Sequence, residues 1–192
     1  MRHVLWYTLA SIALGMAGLA VSPAGAETVA VGPYYAMPSW DQTLPASTRF
    51  IVLSNMSSAA VLDRETGLVW EKAPTTPASN WFDASFACHV LTTGSRMGWR
   101  LPTFYELASL LDPTAATTPP LPAGNPFVGI VAMFYWTATA IDAGPTRAQL
   151  VDFSVPAGAA SPSGAAKTAS TGFGGNSIFT WCVRGSVQIA PQ

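Results

Sequence analysis

The chain has 192 residues and a formal net charge of −1, from 9 Lys and Arg against 10 Asp and Glu. Only 10% of residues are charged, against about 25% in an average soluble protein, which excludes a nucleic-acid or heparin stripe built from massed Lys and Arg. At 49% the hydrophobic share is enough for a core and too high for a charged disordered chain, and two cysteines are too few for a disulfide-dense mini-fold or a four-ligand zinc site.

Arg2 and His3 form a short basic start, and Val4 to Val21 is uncharged and mostly apolar. Pro23 breaks any helix, and Ala24-Gly25-Ala26 offers small residues where a signal peptidase reads. Residues 1–26 therefore read as a secretory signal peptide. An uncleaved membrane anchor is the rival, since about 18 apolar residues just span a bilayer. No later run is long and clean enough to span, so no membrane span is expected after cleavage. Residues 27–48 are Pro- and Gly-rich with Tyr34, Tyr35 and Trp40, and read as an extended N-terminal lead.

The domain proper is expected over 49–186, with 187–192 as a tail. Arg49 to Leu53 is a short β-type run. Ala60 to Asp63 and Leu68 to Glu71 flank Arg64-Glu65-Thr66-Gly67, which predicts a β-hairpin. Asp63 is placed to accept from the turn's own amides. A helix is predicted from Trp81 to about Leu91, capped by Ser79 or Asn80 and ended by Gly94. Trp81, Ser85 and Cys88 form one set at three- and four-residue spacing, and Phe82, Phe86 and Val90 another. Thr103-Phe104-Tyr105-Glu106 is a capping box for a second helix, whose apolar face is Leu107, Leu110 and Leu111 and whose stop is Asp112-Pro113. Thr114 to Pro126 reads as a loop, Phe127 to Ala140 as β-rich, Arg147 to Val155 as a strand, Ala157 to Asn176 as a long loop and Ser177 to Ser186 as a last strand. Strands, then two helices, then strands indicate an α+β fold with antiparallel pairing.

Export decides how the cysteines read. Cys88 and Cys182 are the only pair, so a disulfide is expected. The functional alternative is a redox pair or a nucleophilic thiol, with His89 beside Cys88.

Three patches together carry a resemblance. They are Val61-Leu62-Asp63 through Thr66-Gly67-Leu68-Val69-Trp70, then Gly98-Trp99-Arg100-Leu101-Pro102-Thr103 with Glu106-Leu107, then Phe134-Tyr135-Trp136-Thr137 with Cys182-Val183-Arg184-Gly185. Over about residues 50 to 186 the chain resembles the Lcl C-terminal domain family, named from the tail domain of a bacterial collagen-like adhesin and related to C-type-lectin-like and formylglycine-generating-enzyme-like folds. The resemblance implies a C-type-lectin-like domain, two helices packed on a twisted antiparallel sheet with long loops. It also implies that Cys88, on the first helix, meets Cys182, on the last strand. For function it implies binding of sulfated glycans or host surfaces. The chain lacks the collagen-like Gly-x-y repeat of the adhesin. It also lacks the Glu-Pro-Asn, Gln-Pro-Asp and Trp-Asn-Asp triplets of calcium-dependent lectins, and its carboxylates are scattered singly, so no metal or cofactor is expected.

Trp99, Arg100, Pro102, Thr103 and Glu106, with Trp136 and Arg184, read as a structural motif: Trp99 fills the core, and a carboxylate such as Glu106 or backbone carbonyls fix Arg100. Trp70, Trp136 and Trp181 lie in β or core segments, which leaves Trp40 and Trp81, in or beside loops, as candidates to stack a sugar. Arg147, Lys167, Arg96 and Arg64 are the candidate contacts for an anionic sugar, because guanidinium groups suit sulfate by paired hydrogen bonds. Arg147 and Lys167 come first, since long loops rich in Pro, Gly and Ser are where binding residues concentrate. There is no Gly-x-Ser-x-Gly, His-Glu-x-x-His or phosphate loop, and nothing sets Asp83 and Glu106 at a glycosidase's separation. The sequence thus points to an exported, non-catalytic binding or surface-interaction module for a glycan or cell-surface partner, with no cofactor and no nucleic acid. The alternatives are a structural envelope protein without a small ligand and an enzyme of unrecognised chemistry.

Overall fold

A computed structural model describes residues 44–74, 77–78, 80–141, 146–156, 163–167, 169 and 177–185. The expected signal segment lies outside the described residues, as do Tyr34, Tyr35 and Trp40. In chain order the elements are α1 (Ala46–Arg49), β1 (Phe50–Val52), β2 (Ala60–Asp63), β3 (Val69–Glu71), α2 (Trp81–Val90), β4 (Trp99–Arg100), α3 (Phe104–Ala108), β5 (Phe134–Ala140), β6 (Arg147–Asp152), β7 (Ser163–Ala166), β8 (Ile178–Phe179) and β9 (Val183–Arg184). They form an α+β fold with two sheets, β1-β2-β3-β9-β4 and β7-β6-β5-β8. The end of the expected extended lead is in fact α1, one helical turn running straight into β1.

The hairpin forms as read. Ala60 faces Glu71, Val61 faces Trp70 and Leu62 faces Val69. Asp63 accepts the Glu65 amide at 3.0 Å, and Gly67 closes the turn at φ 70° with its amide on the Asp63 carbonyl. β1 adds to the outer side of β2, with Phe50 opposite Asp63.

Asn80 caps α2 by accepting the Asp83 amide at 3.0 Å. Of the two apolar sets on this helix, the one holding Cys88 turns inward beside Ala84, and Phe82, Phe86 and Val90 stay exposed. The helix stops at Val90, before Gly94. Gly94 instead serves a short turn at φ 66°, where a Cβ would lie 2.5 Å from the Met56 Cβ, so both backbone and space demand glycine there.

Three later readings change. Only 134–140 of the β-rich stretch is strand, and Phe127 packs edge-on against Trp181 at 4.9 Å and Phe50 at 5.1 Å. The expected loop 157–176 contains β7, whose Ser-Gly-Ala-Ala carries no β signature but pairs with β6 from Arg147↔Ala166 to Leu150↔Ser163. The expected last strand divides in two. Ile178–Phe179 pairs with β5 in parallel, against the antiparallel expectation, and Val183–Arg184 lies antiparallel between β3 and β4 in the other sheet. The intervening residues, Thr180 to Cys182, are buried as the chain passes between sheets.

The core has two clusters. One gathers Trp70, Trp181, Tyr135, Phe153, Leu107 and Leu110. The other gathers Trp99, Trp136, Leu150, Ile178 and the Cys88–Cys182 disulfide, whose Cα atoms are 5.5 Å apart. The bridge ties α2 to the segment between β8 and β9.

Beside it, Glu71 reaches along the sheet to accept the Cys182 amide at 2.9 Å. Burial pushes its carboxyl up from 4.5 to about 7, and the Cys182 amide opposes this only in part. The folded protein thus holds that proton more tightly than the unfolded chain, so stability falls as pH rises from about 4.5 through about 7. Glu71→Gln keeps an acceptor for Cys182 and removes the charge. The variant is expected to match the parent near pH 5 and to exceed it at pH 8 by on the order of 2–3 kcal/mol. Denaturant melts at both pH values check this, and a pH-independent difference contradicts it.

Candidate functional site

The Trp-Arg-Leu-Pro stretch forms a joint. Trp99 is buried, and its indole donates to the Arg96 carbonyl at 2.9 Å. Arg100 donates from both terminal nitrogens to the two oxygens of Glu106, at 2.8 and 2.7 Å. Glu106 Oε2 also accepts the Thr103 amide at 2.7 Å, and the Thr103 hydroxyl accepts the Glu106 amide at 3.2 Å. One carboxylate, 1% exposed, thus caps α3 and neutralises Arg100. The Pro102 carbonyl accepts from Ala138, and the Phe104 amide donates to Thr139, which ties the joint to β5. Trp136 is fully buried, and Arg184 donates to the Met97 carbonyl at 2.8 Å. The sequence patches at β3, β4 and β9 meet in one sheet, with Trp70 opposite Val183 and Trp99 opposite Arg184. Arg100, Thr103 and Glu106 bond to one another, and Trp99 and Arg184 bond to backbone carbonyls.

Thr103→Ala is accordingly expected to cost about 1 kcal/mol. Glu106→Ala is expected to cost more than about 3 kcal/mol, because it uncaps α3 and strands Arg100 together. Denaturant melts of the two variants check the ranking, and equal losses contradict the shared role of Glu106.

A second charge cluster has no sequence-local signature. Arg49, 1% exposed, donates to both oxygens of buried Asp63 at 2.9 and 2.8 Å and to the Ser109 carbonyl at 2.9 Å. Glu65 lies 3.3 Å from the same guanidinium and accepts the Leu44 amide at 2.7 Å. The signal that could have found it is the strand register. Phe50 opposite Asp63 places Arg49 at the end of the β1–β2 pair, beside the only carboxylate of that strand. The groups are buried and paired across three elements, with only Arg49 Nη1 and Glu65 Oε2 left without a hydrogen-bond partner, so the cluster holds α1, the hairpin turn and the end of α3 together.

Two of the four expected ligand residues, Trp81 and Lys167, come together at the N-terminus of α2. The Trp81 amide donates to the Lys167 carbonyl at 2.9 Å, and the Trp81 indole donates to the Thr137 carbonyl at 2.8 Å. Lys167 Nζ sits 4.2 Å from the centre of the indole. The Lys167 amide donates to Thr146, next to Arg147, and Arg147 pairs across the sheet with Ala166. Trp81 is therefore no bare stacking platform, because an ammonium group covers its ring. The patch presents a cation fixed over an aromatic surface, and Arg147 pairs with Ala166 on the adjoining strand. Trp40 lies outside the described residues.

The remaining candidates have local partners. Arg64 donates to Thr48 and Arg96 to Ser95. Asp83 bonds to Asn80 and Glu106 to Arg100, so each carboxylate has its own partner. Cys88 is bonded to Cys182, so neither carries a free thiol in this structure. Among the described residues no group of three or more His, Cys, Asp and Glu is arranged to hold a metal, and no helix is long and apolar enough to cross a membrane.

The profile of the Lcl C-terminal domain family matches residues 59–184, about two-thirds of the chain. The chain therefore belongs to that family. No curated protein matches it.

Proposed function

We propose that this member of the Lcl C-terminal domain family is an exported, non-catalytic binding module of the C-type-lectin-like class, which contacts anionic glycans at a surface. The observation that carries the reading is the Trp81–Lys167 pair, with Arg147 on the adjoining strand. An ammonium group over a half-buried indole, with a guanidinium-bearing residue on the adjoining strand, suits a sulfated or carboxylated sugar. The intramolecular disulfide supports an oxidising compartment, and hence export.

With so few cations the contact is modest, and ions screen exposed charges beyond about 8 Å at physiological ionic strength. The test is a glycan array probed with the purified full-length chain at low and at high salt. The expected result is retention of sulfated or uronic-acid-containing glycans that weakens as salt rises. No glycan retained at either salt concentration overturns the reading.

A further inference from the structure

Between α3 and β5 the chain encloses an open cleft of about 400 Å³, lined by one stretch from Thr117 to Ile130. Leu121, Phe127 and Ile130 back the cleft on one side and pack against the larger core cluster, and the surface the cleft opens is mainly polar. The opposite rim is a tight turn. Asn125 donates from backbone and side chain to the Pro122 carbonyl at 3.1 and 2.9 Å, accepts the Phe127 amide at 3.0 Å, and follows Gly124 at φ 78°. The walls are thus held in place without a ligand, which lowers the ordering cost of binding.

The chemistry of the lining is selective. No Asp, Glu, Lys, Arg or His takes part. Asp112, the nearest carboxylate along the chain, is engaged by Thr114 through amide and hydroxyl at 2.8 and 2.7 Å. A charged ligand would lose its hydration here with no countercharge in return. The segment holds Pro119, Pro120, Pro122 and Pro126, and proline has no N–H. A peptide docked as an added strand needs a run of backbone donors, which this segment cannot supply. Thr117 and Thr118 are exposed, and their hydroxyls make no hydrogen bond among the described residues. A cleft poor in donors, free of charge and walled on one side by apolar side chains suits a ligand with many O–H donors and an apolar C–H face.

We propose that this cleft binds a neutral saccharide, with the sugar's C–H face against Phe127 and Ile130 and its hydroxyls on Thr117 and Thr118. The site shares no residue with the Trp81–Lys167 patch, so either can fail alone. The test titrates the full-length chain with N,N′-diacetylchitobiose by calorimetry at low and high salt. Thr117→Trp and Ala123→Trp, each at an exposed lining position, block the cleft, and a melting temperature equal to the parent's shows that each variant folds. Expected is saturable binding indifferent to salt, weakened at least about ten-fold by either blocking variant, or 1.4 kcal/mol and more, and unchanged by Arg147→Ala with Lys167→Ala. Absence of saturable binding overturns the proposal, as does equal binding in a folded blocked variant. A proline-rich peptide that binds where the saccharide does not also overturns it.

Discussion

Cys88→Ser is expected to lower the free energy of unfolding by about 2–5 kcal/mol. The bridge closes a sequence separation of 94 residues, for which the chain-entropy model gives about 4–5 kcal/mol. Both half-cystines are buried, so the substitution also leaves a hydroxyl and a free thiol in the second core cluster. The bond joins a helix to the segment that passes from one sheet to the other. Denaturant melts of parent and variant measure the loss, and titration of the denatured, unreduced parent should find no reactive thiol. A loss below about 1 kcal/mol, or two free thiols per chain, contradicts the account.

Asp63→Ala is expected to cost about 3–5 kcal/mol. Arg49 would remain 1% exposed, with only Glu65 at 3.3 Å to balance it and with Nη1 already lacking a partner. The turn would also lose the carboxylate that accepts the Glu65 amide. Asp63→Asn keeps an oxygen acceptor and loses the charge, so its cost should fall between parent and alanine. Equal stability of all three proteins would show that the Arg49 cluster does not hold α1, the hairpin and α3 together.

Local signals carried most of what the sequence disclosed. The capping box at Thr103 and Glu106 spans four residues, and the hairpin at Asp63 to Gly67 spans five, so both could be read without knowing the fold. The disulfide was legible because the chain holds a single cysteine pair. What needed the fold was pairing between distant strands. β8 and β9 are two residues each, and only their neighbours assign them to different sheets. Ser163 to Ala166 becomes a strand through backbone bonds to β6, which small uncharged side chains do not announce. Arg49 finds partners 14 and 60 residues away. In the sequence Lys167 reads as charge in a loop and Trp81 as an aromatic beside a loop. Their direct contact was beyond sequence reading, because it depends on β7 bringing Lys167 to the start of α2.

The division between a scaffold motif and a separate ligand patch is tested most directly by Arg147→Ala combined with Lys167→Ala. Glycan binding and melting temperature are measured side by side, with Glu106→Ala as the scaffold control. The account predicts that the double variant loses binding to anionic glycans while its melting temperature stays near the parent's, and that Glu106→Ala melts far lower. Unchanged glycan binding in the folded double variant would contradict it.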